Sequence, residues 1–216
     1  MNMVCAVAPD DDIAKIERGL LRAANGLPDN RGLPNNTGFS NDKVIARIIA
    51  AQRAGTSCLP LHLGLQMQEF SDLLQRHFPG SLFWLALHSG HDEAVARGAL
   101  RQQLLMMRHD EWLDIRNLLL DGRRGDDVSE EWLAAIVAAG CLGGDHLWRD
   151  LGLSSRTQLG EMLRYNFPGI ALRNDRDMKW KKFFYKQLCE REGGYVCRSP
   201  SCEQCVAYAD CFGPES

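Results

Sequence analysis

The sequence predicts an all-α fold, a helical bundle closing in a cysteine-rich loop, on three observations. Apolar side chains recur at helical spacing through most of the 216 residues, the pattern of amphipathic helices. No stretch sustains the period-two alternation of β-branched residues that marks a half-buried strand. One helical text occurs twice: LGLQMQEFSDLLQRHFPG, Leu63 to Gly80, returns as LGLSSRTQLGEMLRYNFPG, Leu151 to Gly169, with one extra residue in the second copy. The body is therefore expected to be a duplicated helical hairpin. Chance similarity between two amphipathic helices is the competing account, since two copies are too few for a solenoid.

In chain order, Asp12 to Ala24 places Ile13, Ile16, Leu20 and Leu21 at helical spacing, with acids at its start and Asn25-Gly26 as a stop. Leu27 to Phe39, rich in proline, asparagine and glycine, reads as a linker. A helix from Asn41 to Ala54 carries Val44, Ile45, Ile48 and Ile49 on one face and stops at Gly55. Each repeat copy then opens with Leu-Gly-Leu, runs one helix and ends at Phe-Pro-Gly, where proline disfavours helical geometry in the residue before it. Ser155 and Gln158 fit a capping box. Upstream of the copies lie apolar helices, Val44 to Ala54 and Glu131 to Ala139, followed by the pairs Cys58-Leu59 and Cys141-Leu142. Between the copies, His91 to Leu120 reads as one bent helix or two, with Leu100, Leu104, Met107, Leu113 and Leu118 near helical spacing. Asp121 to Asp127 is an exposed connector. Asp177 to Glu190 forms a last helix with Trp180, Phe183, Phe184 and Leu188 on one side and Lys179, Lys182 and Lys186 on another. The chain thus divides into 1–40, a helix and linker; 41–176, a helical domain with the repeat; and 177–216, a basic helix and the cysteine loop.

Composition excludes several classes. The longest apolar runs, Leu82 to Leu87 and Leu133 to Ala139, fall well short of the roughly 20 residues a membrane span needs. The opening MNMVCAVAPDDD lacks the basic start of a secretory signal, so a cytoplasmic protein is expected. A net charge of -3 argues against broad nucleic-acid binding, which needs a basic surface. Charge is uneven, however: Arg173 to Arg191 holds seven basic residues against three acids. This collar would offset a negative site or attract an anion; a solvated helix face is the plainer reading.

The chemistry concentrates at Cys197, Cys202, Cys205 and Cys211, spaced C-x4-C-x2-C-x5-C. Four thiols within fifteen residues can converge on one metal, because each intervening loop is short and costs little to close. In a reducing compartment this clustering argues for ligation rather than disulfides. A closed zinc site is one reading, but zinc knuckles usually come as two C-x2-C-type pairs, and only Cys202 and Cys205 form one. The single compact loop favours iron–sulfur ligation. Plant-type ferredoxins share C-x4-C-x2-C, with their fourth cysteine remote in a β-rich fold. Helical iron–sulfur DNA glycosylases are the sharper competitor, yet the sequence lacks their helix-hairpin-helix glycine turn.

Among other candidates, Cys189 sits at the end of the basic helix as a fifth thiol or an idle one, Cys58 and Cys141 read as core, and Cys5 as a free thiol. His146 reads more readily as a hydrogen-bonded structural residue than as a ligand. His62, His77, His88, His91 and His109 form no paired metal motif, and neither a nucleophile elbow nor a phosphate loop is present.

The run MKWKKFFYKQLCEREGGYVCRSPSCEQCVAYADCFGPE, Met178 to Glu215, with HLWRDLGLSSRTQLGEMLRYNFPGIALRN, His146 to Asn174, resembles the NifQ family of nitrogen fixation. The resemblance is specific over roughly the last third of the chain, and the cysteine motif shows no departure. It implies a non-enzymatic iron–sulfur protein that carries molybdenum and donates it to iron–molybdenum cofactor assembly. Cys197, Cys202, Cys205 and Cys211 would be the ligands of a 4Fe–4S or Mo–3Fe–4S cluster. Its partners would be the NifEN scaffold and the NifH iron protein, with molybdate or a molybdenum–sulfur species as cargo. Soft thiolates and cluster sulfides suit a thiophilic metal.

Overall fold

The computed structural model describes residues 10–24, 39–82, 85, 92–191, 193, 205 and 207–215. Among them are eleven helices and no strand. Helix α1 (Asp10–Ala24) buries Ile13, Ile16 and Leu20 against α2 (Asn41–Arg53), and Arg47 of α2 reaches Glu17 at 3.6 Å. Of the expected linker from Leu27 to Phe39 only Phe39 falls within the described residues, packed 4.7 Å from the ring of Tyr165.

After α3 (Met67–His77), the stretch expected as one helix or two is two, α4 (Asp92–Met107) and α5 (His109–Asp121). They are broken at Arg108, whose φ of −116° and ψ of 32° leave helical geometry. Of the residues read at helical spacing, Leu118 is buried but Leu100, Leu104, Met107 and Leu113 are exposed; Leu105, Ile115 and Leu119 are buried with Leu118. Helix α4 carries apolar residues all round, so its period predicts a helix without choosing the inward side. Helix α6 (Ser129–Cys141) is buried along its whole apolar length and lies at the centre of the core. The short α7 (Leu147–Asp150), α8 (Arg156–Asn166) and the short α9 (Pro168–Ala171) follow, then α10 (Trp180–Arg191) and α11 (Tyr208–Phe212).

The duplication is present in the packing as well as the text. Helices α2 and α6 are both 13 residues long, and α3 and α8 both 11. Each Leu-Gly-Leu turn places its glycine at positive φ, +92° at Gly64 and +77° at Gly152, a conformation that favours glycine. Each second helix ends on a phenylalanine leaving the helix, φ −139° and ψ 62° at Phe78, φ −128° and ψ 54° at Phe167. The contacts between hairpins are reciprocal. Gly64 lies against Ala139 of α6, where a Cβ would come within 2.7 Å, and Gly152 against Ala51 of α2, where it would come within 2.1 Å. Ala51 and Ala139 hold the same place in their helices. The far end of each second helix is likewise fastened to the first residue of the other hairpin's first helix. Asn166 and Asn41 exchange amide hydrogen bonds at 2.9 Å, and His77 Nε2 meets Ser129 Oγ at 2.9 Å while Nδ1 lies 2.6 Å from Asp42. Two copies related by a pseudo-twofold therefore make the body.

Two local expectations are corrected. Cys58-Leu59 is not the counterpart of Cys141-Leu142, since Cys141 ends α6 whereas Cys58 lies beyond α2; counting back from each Leu-Gly-Leu sets Cys58 opposite His146. The capping box is displaced: Ser155 Oγ accepts from Gln158 N–H at 3.1 Å, but the Gln158 side chain accepts from Ser154 N–H, at 3.0 Å. The connector from Asp121 to Asp127 is mostly exposed, as expected, but Gly122 is buried against Ile170 and the loop is pinned. The buried Glu130 carboxylate accepts from the N–H groups of Gly125 and Asp126 at 2.7 and 3.0 Å, and Gly169 N–H donates to Gly122 O at 2.9 Å.

Candidate metal centre

Helix α10 is the strut that carries the chain toward the cysteines. Trp180, Phe183 and Phe184 are buried and pack on one another with ring centroids 5.8–5.9 Å apart. The helix starts at Trp180 rather than Asp177, because Asp177 takes a left-handed φ of +52°. The Asn174 side chain holds that turn, accepting from Met178 N–H and donating to Met178 O, both at 2.8 Å.

The lysines expected as a collar are largely occupied. Lys179 donates from its backbone N–H to Cys211 O at 2.8 Å and from Nζ to Ala209 O at 3.2 Å. Lys181 forms a largely buried ion pair with Asp150 and donates to Gly143 O at 2.9 Å. Lys186 lies 3.6 Å from Glu190. On the same helix, the Tyr185 hydroxyl donates to Glu111, whose carboxylate also accepts twice from Arg108 at 2.7 Å. Burial and that hydrogen bond raise the Tyr185 hydroxyl well above its ordinary range. Basic and polar groups here tie α10 to the body and to the cysteine segment.

Of the four cysteines expected as ligands, Cys205 and Cys211 lie within the described residues and Cys197 and Cys202 outside them. Cys205 O accepts from Tyr208 N–H at 3.1 Å, which opens α11, a helical turn inside what the sequence presents as loop. Cys211 sits in that turn, and both thiol-bearing residues are half-buried. The turn is packed rather than free: Tyr208 stacks on Phe212 with centroids 4.5 Å apart, and the Arg176 guanidinium lies 5.4 Å from the Phe212 ring centre. Among the described residues no three His, Cys, Asp or Glu side chains form a metal-holding group.

The remaining thiols divide by environment. Cys58 and Cys141 are core residues, as expected, 8% and 3% exposed. Burial pushes the Cys141 thiol up to about 12, and burial with the Asp150 carboxylate nearby raises Cys58. Both stay protonated at neutral pH, and the thiolate is the form that binds metal. Cys189 is half-buried at the end of α10, and Cys5 lies outside the described residues. His146 Nδ1 stands 3.7 Å from the Glu215 carboxylate, so its partner is an acid. The chain Ser129, His77, Asp42 has the order of a hydrolase triad, but Ser129 Oγ donates to Asp127 and both Ser129 and His77 are buried. It serves as a fastener between hairpins.

Three residues that the sequence did not single out shape this region. Arg156, the first residue of α8, forms an ion pair with Glu215, and its second guanidinium nitrogen donates to Asp177 Oδ1, Asp177 O and Met178 O at 2.9, 2.8 and 3.1 Å. The Glu215 side chain is only 5% exposed. No local spacing announces the pairing of Arg156 with Asp177 and Glu215, since the three meet only through the fold.

Fold and site together define a class: an all-helical protein in which a duplicated hairpin body holds the C-terminal turn that carries Cys211. Residues 44–213 match the NifQ family model. The chain is 57% identical to Protein NifQ of Azotobacter vinelandii over 82% of this chain and 90% of that protein. It is 35% identical to the Protein NifQ homolog of Sinorhizobium fredii over 79% of this chain and 69% of that protein. Protein NifQ of Klebsiella pneumoniae is 32% identical over 78% and 96%. The chain belongs to the NifQ family, whose name places it in nitrogen fixation. No solved structure matches it. Among the described residues no helix is long and apolar enough to cross a membrane.

Proposed function

We propose that this chain is a cytoplasmic iron–sulfur molybdenum carrier, not an enzyme, that donates molybdenum for assembly of the iron–molybdenum cofactor of nitrogenase. Cys197, Cys202, Cys205 and Cys211 would hold a 4Fe–4S or Mo–3Fe–4S cluster, whose sulfides supply soft sites for molybdenum. The cargo enters as molybdate or a molybdenum–sulfur species. NifEN and NifH are the partners that the family resemblance implies. The observation that carries the reading is the contrast among thiols in a NifQ-family chain. Cys205 and Cys211 are half-exposed on a turn held against the body, whereas Cys58 and Cys141 are buried, with thiol pKa values raised by that burial. A carrier must present its ligands where a partner can reach them, and a turn fixed by its backbone can do so without exposing the core.

The test is iron, molybdenum and zinc analysis of anaerobically purified protein, with its visible spectrum, beside a Cys205→Ala, Cys211→Ala variant. Brown protein holding iron and molybdenum, both lost in the variant, is the expected result. Colourless protein with stoichiometric zinc would replace the carrier by a structural zinc module. Iron without molybdenum, together with cleavage of damaged DNA, would favour a glycosylase-like activity.

A further inference from the structure

We infer that Arg156 is the positioning residue of the cysteine segment: through Glu215 and Asp177 it fixes where Cys211 stands on the helical body. The inference takes the name metal centre from the carrier reading, but the geometry stands without it.

Four observations converge. The guanidinium is shared between two pieces of chain that nothing local brings together. One nitrogen faces Glu215, beyond α11, and the other bonds Asp177 and Met178 at the entry to α10. Both pieces bracket the cysteine motif, so one side chain ties the start and the finish of the segment to the first turn of α8. The Glu215 half of the grip is shielded, with the Glu215 side chain 5% and that of Arg156 23% exposed, and ion pairs protected from water lose less to screening than surface pairs do; the Asp177 carboxylate, 74% exposed, is the solvent-facing and weaker half. Asp177 adopts its left-handed φ of +52° at a cost that a non-glycine residue usually meets only where surrounding structure compensates; in that shape its carbonyl and carboxylate both face Arg156. Finally, Lys179 N–H, two residues on, donates to Cys211 O at 2.8 Å. The turn that Arg156 holds is thus one hydrogen bond away from the backbone of a cysteine. His146, 3.7 Å from Glu215, stands on the same carboxylate from α7's leading edge.

Lysine keeps the charge but lacks the planar fork that reaches two partners at once. Arg156→Lys should therefore restore the Glu215 contact and only part of the positioning, whereas Arg156→Gln should lose both.

The test reads each cysteine separately. Full-length protein is stripped of metal with a chelator and alkylated under native conditions, and labelling rates are measured peptide by peptide by mass spectrometry. Arg156→Gln should speed labelling of Cys211 about tenfold, the factor expected for losing a charged hydrogen bond that holds a local structure closed. Cys58 and Cys141, buried in the body, should keep their slow rates. Arg156→Lys should fall between the two, and Glu215→Gln should reproduce the Cys211 effect without touching the body. In protein carrying its metal, the same variants should lose that metal faster to the chelator. If Arg156→Gln also exposes Cys58 and Cys141, the body has loosened and Glu215→Gln decides alone. Unchanged Cys211 labelling in Glu215→Gln overturns the inference. Wild-type protein that never holds iron or molybdenum would sink the carrier reading while leaving this labelling result intact.

Discussion

The two hairpins share a backbone plan but differ in what their matching positions do. Counting from each Leu-Gly-Leu turn, His146 and Asp150 of the second copy stand where the first has Cys58 and His62. Arg156, opening α8, stands where Met67 opens α3. In the second copy these positions grip the C-terminal region: His146 and Arg156 face Glu215, and Asp150 pairs with Lys181. In the first copy Cys58 is a buried thiol, His62 packs 5.4 Å from the Phe70 ring, and Met67 is 72% exposed. The apolar contacts that make the body are retained in both copies, whereas the polar contacts that hold the cysteine segment belong to one. The fold is thus a symmetric scaffold with an asymmetric attachment.

The scaffold half of that comparison is tested by matched core substitutions. Phe78 and Phe167 are both fully buried, so Phe78→Ala and Phe167→Ala should each cost about 3–5 kcal/mol in urea unfolding. Costs differing by more than about 2 kcal/mol, well beyond the usual scatter of such substitutions, would break the equivalence. The glycines come next. Gly152→Ala sets a Cβ 2.1 Å from that of Ala51 at positive φ, and overpacking with the left-handed cost predicts about 3 kcal/mol. Gly64→Ala, at 2.7 Å from Ala139, should cost somewhat less. Gly80, at φ +78° with open space around its missing Cβ, is the control, expected at about 1 kcal/mol. Adding Ala51→Gly should recover part of the Gly152→Ala loss and none of the Gly64→Ala loss.

The two inter-hairpin fasteners differ in chemistry, and pH separates them. Asn41 with Asn166 carries no charge. The other joins His77, Asp42 and Ser129 to Asp127, which Arg76 also holds. Burial opposes ionisation of Asp127, but hydrogen bonds from Ser129 and Arg76 outweigh it and hold its carboxyl below the usual range. Glu111 is depressed similarly: burial works against it, and Arg108 and Tyr185 prevail. A carboxyl depressed in the folded state stabilises at pH values above its unfolded pKa, and this contribution is lost as pH falls through the folded value. Stability should therefore drop on acidification below about pH 4. Asp127→Asn should cost about 1–3 kcal/mol at neutral pH through lost charged hydrogen bonds and flatten part of that acid limb. Asn166→Ala should lower stability without changing the limb's slope, as followed by thermal unfolding across pH.

Much of the body is legible in the sequence because periodicity and turn chemistry are local. Leu-Gly-Leu and Phe-Pro-Gly mark both hairpins, and the packing follows them. Where apolar residues surround a helix, the local signal does not choose the inward side: Leu100, Leu104 and Met107 recur near helical spacing in α4, and burial took Leu105. The cysteine motif was visible as spacing, and Cys205 and Cys211 stand on a docked turn. The residues that dock it were invisible for the opposite reason. Arg156, Asp177 and Glu215 form no pattern in one dimension, and Asp177 gave no sign of the left-handed turn that delays α10 to Trp180.

The smallest effect tests the attachment half of the comparison. Met67→Arg places in the first hairpin the residue that grips in the second. If the asymmetry is as described, a long charged side chain at an exposed helix start finds no Glu215 opposite it, and stability should change by less than about 0.5 kcal/mol. Alkylation of Cys211 should not change either. A stabilisation of 1 kcal/mol or more would mean that a carboxylate stands within reach and that the first hairpin keeps a grip of its own. A comparable loss would mean that the Met67 thioether is covered in solution, by a second copy or a partner, and that the two copies differ in what they bind rather than in whether they bind.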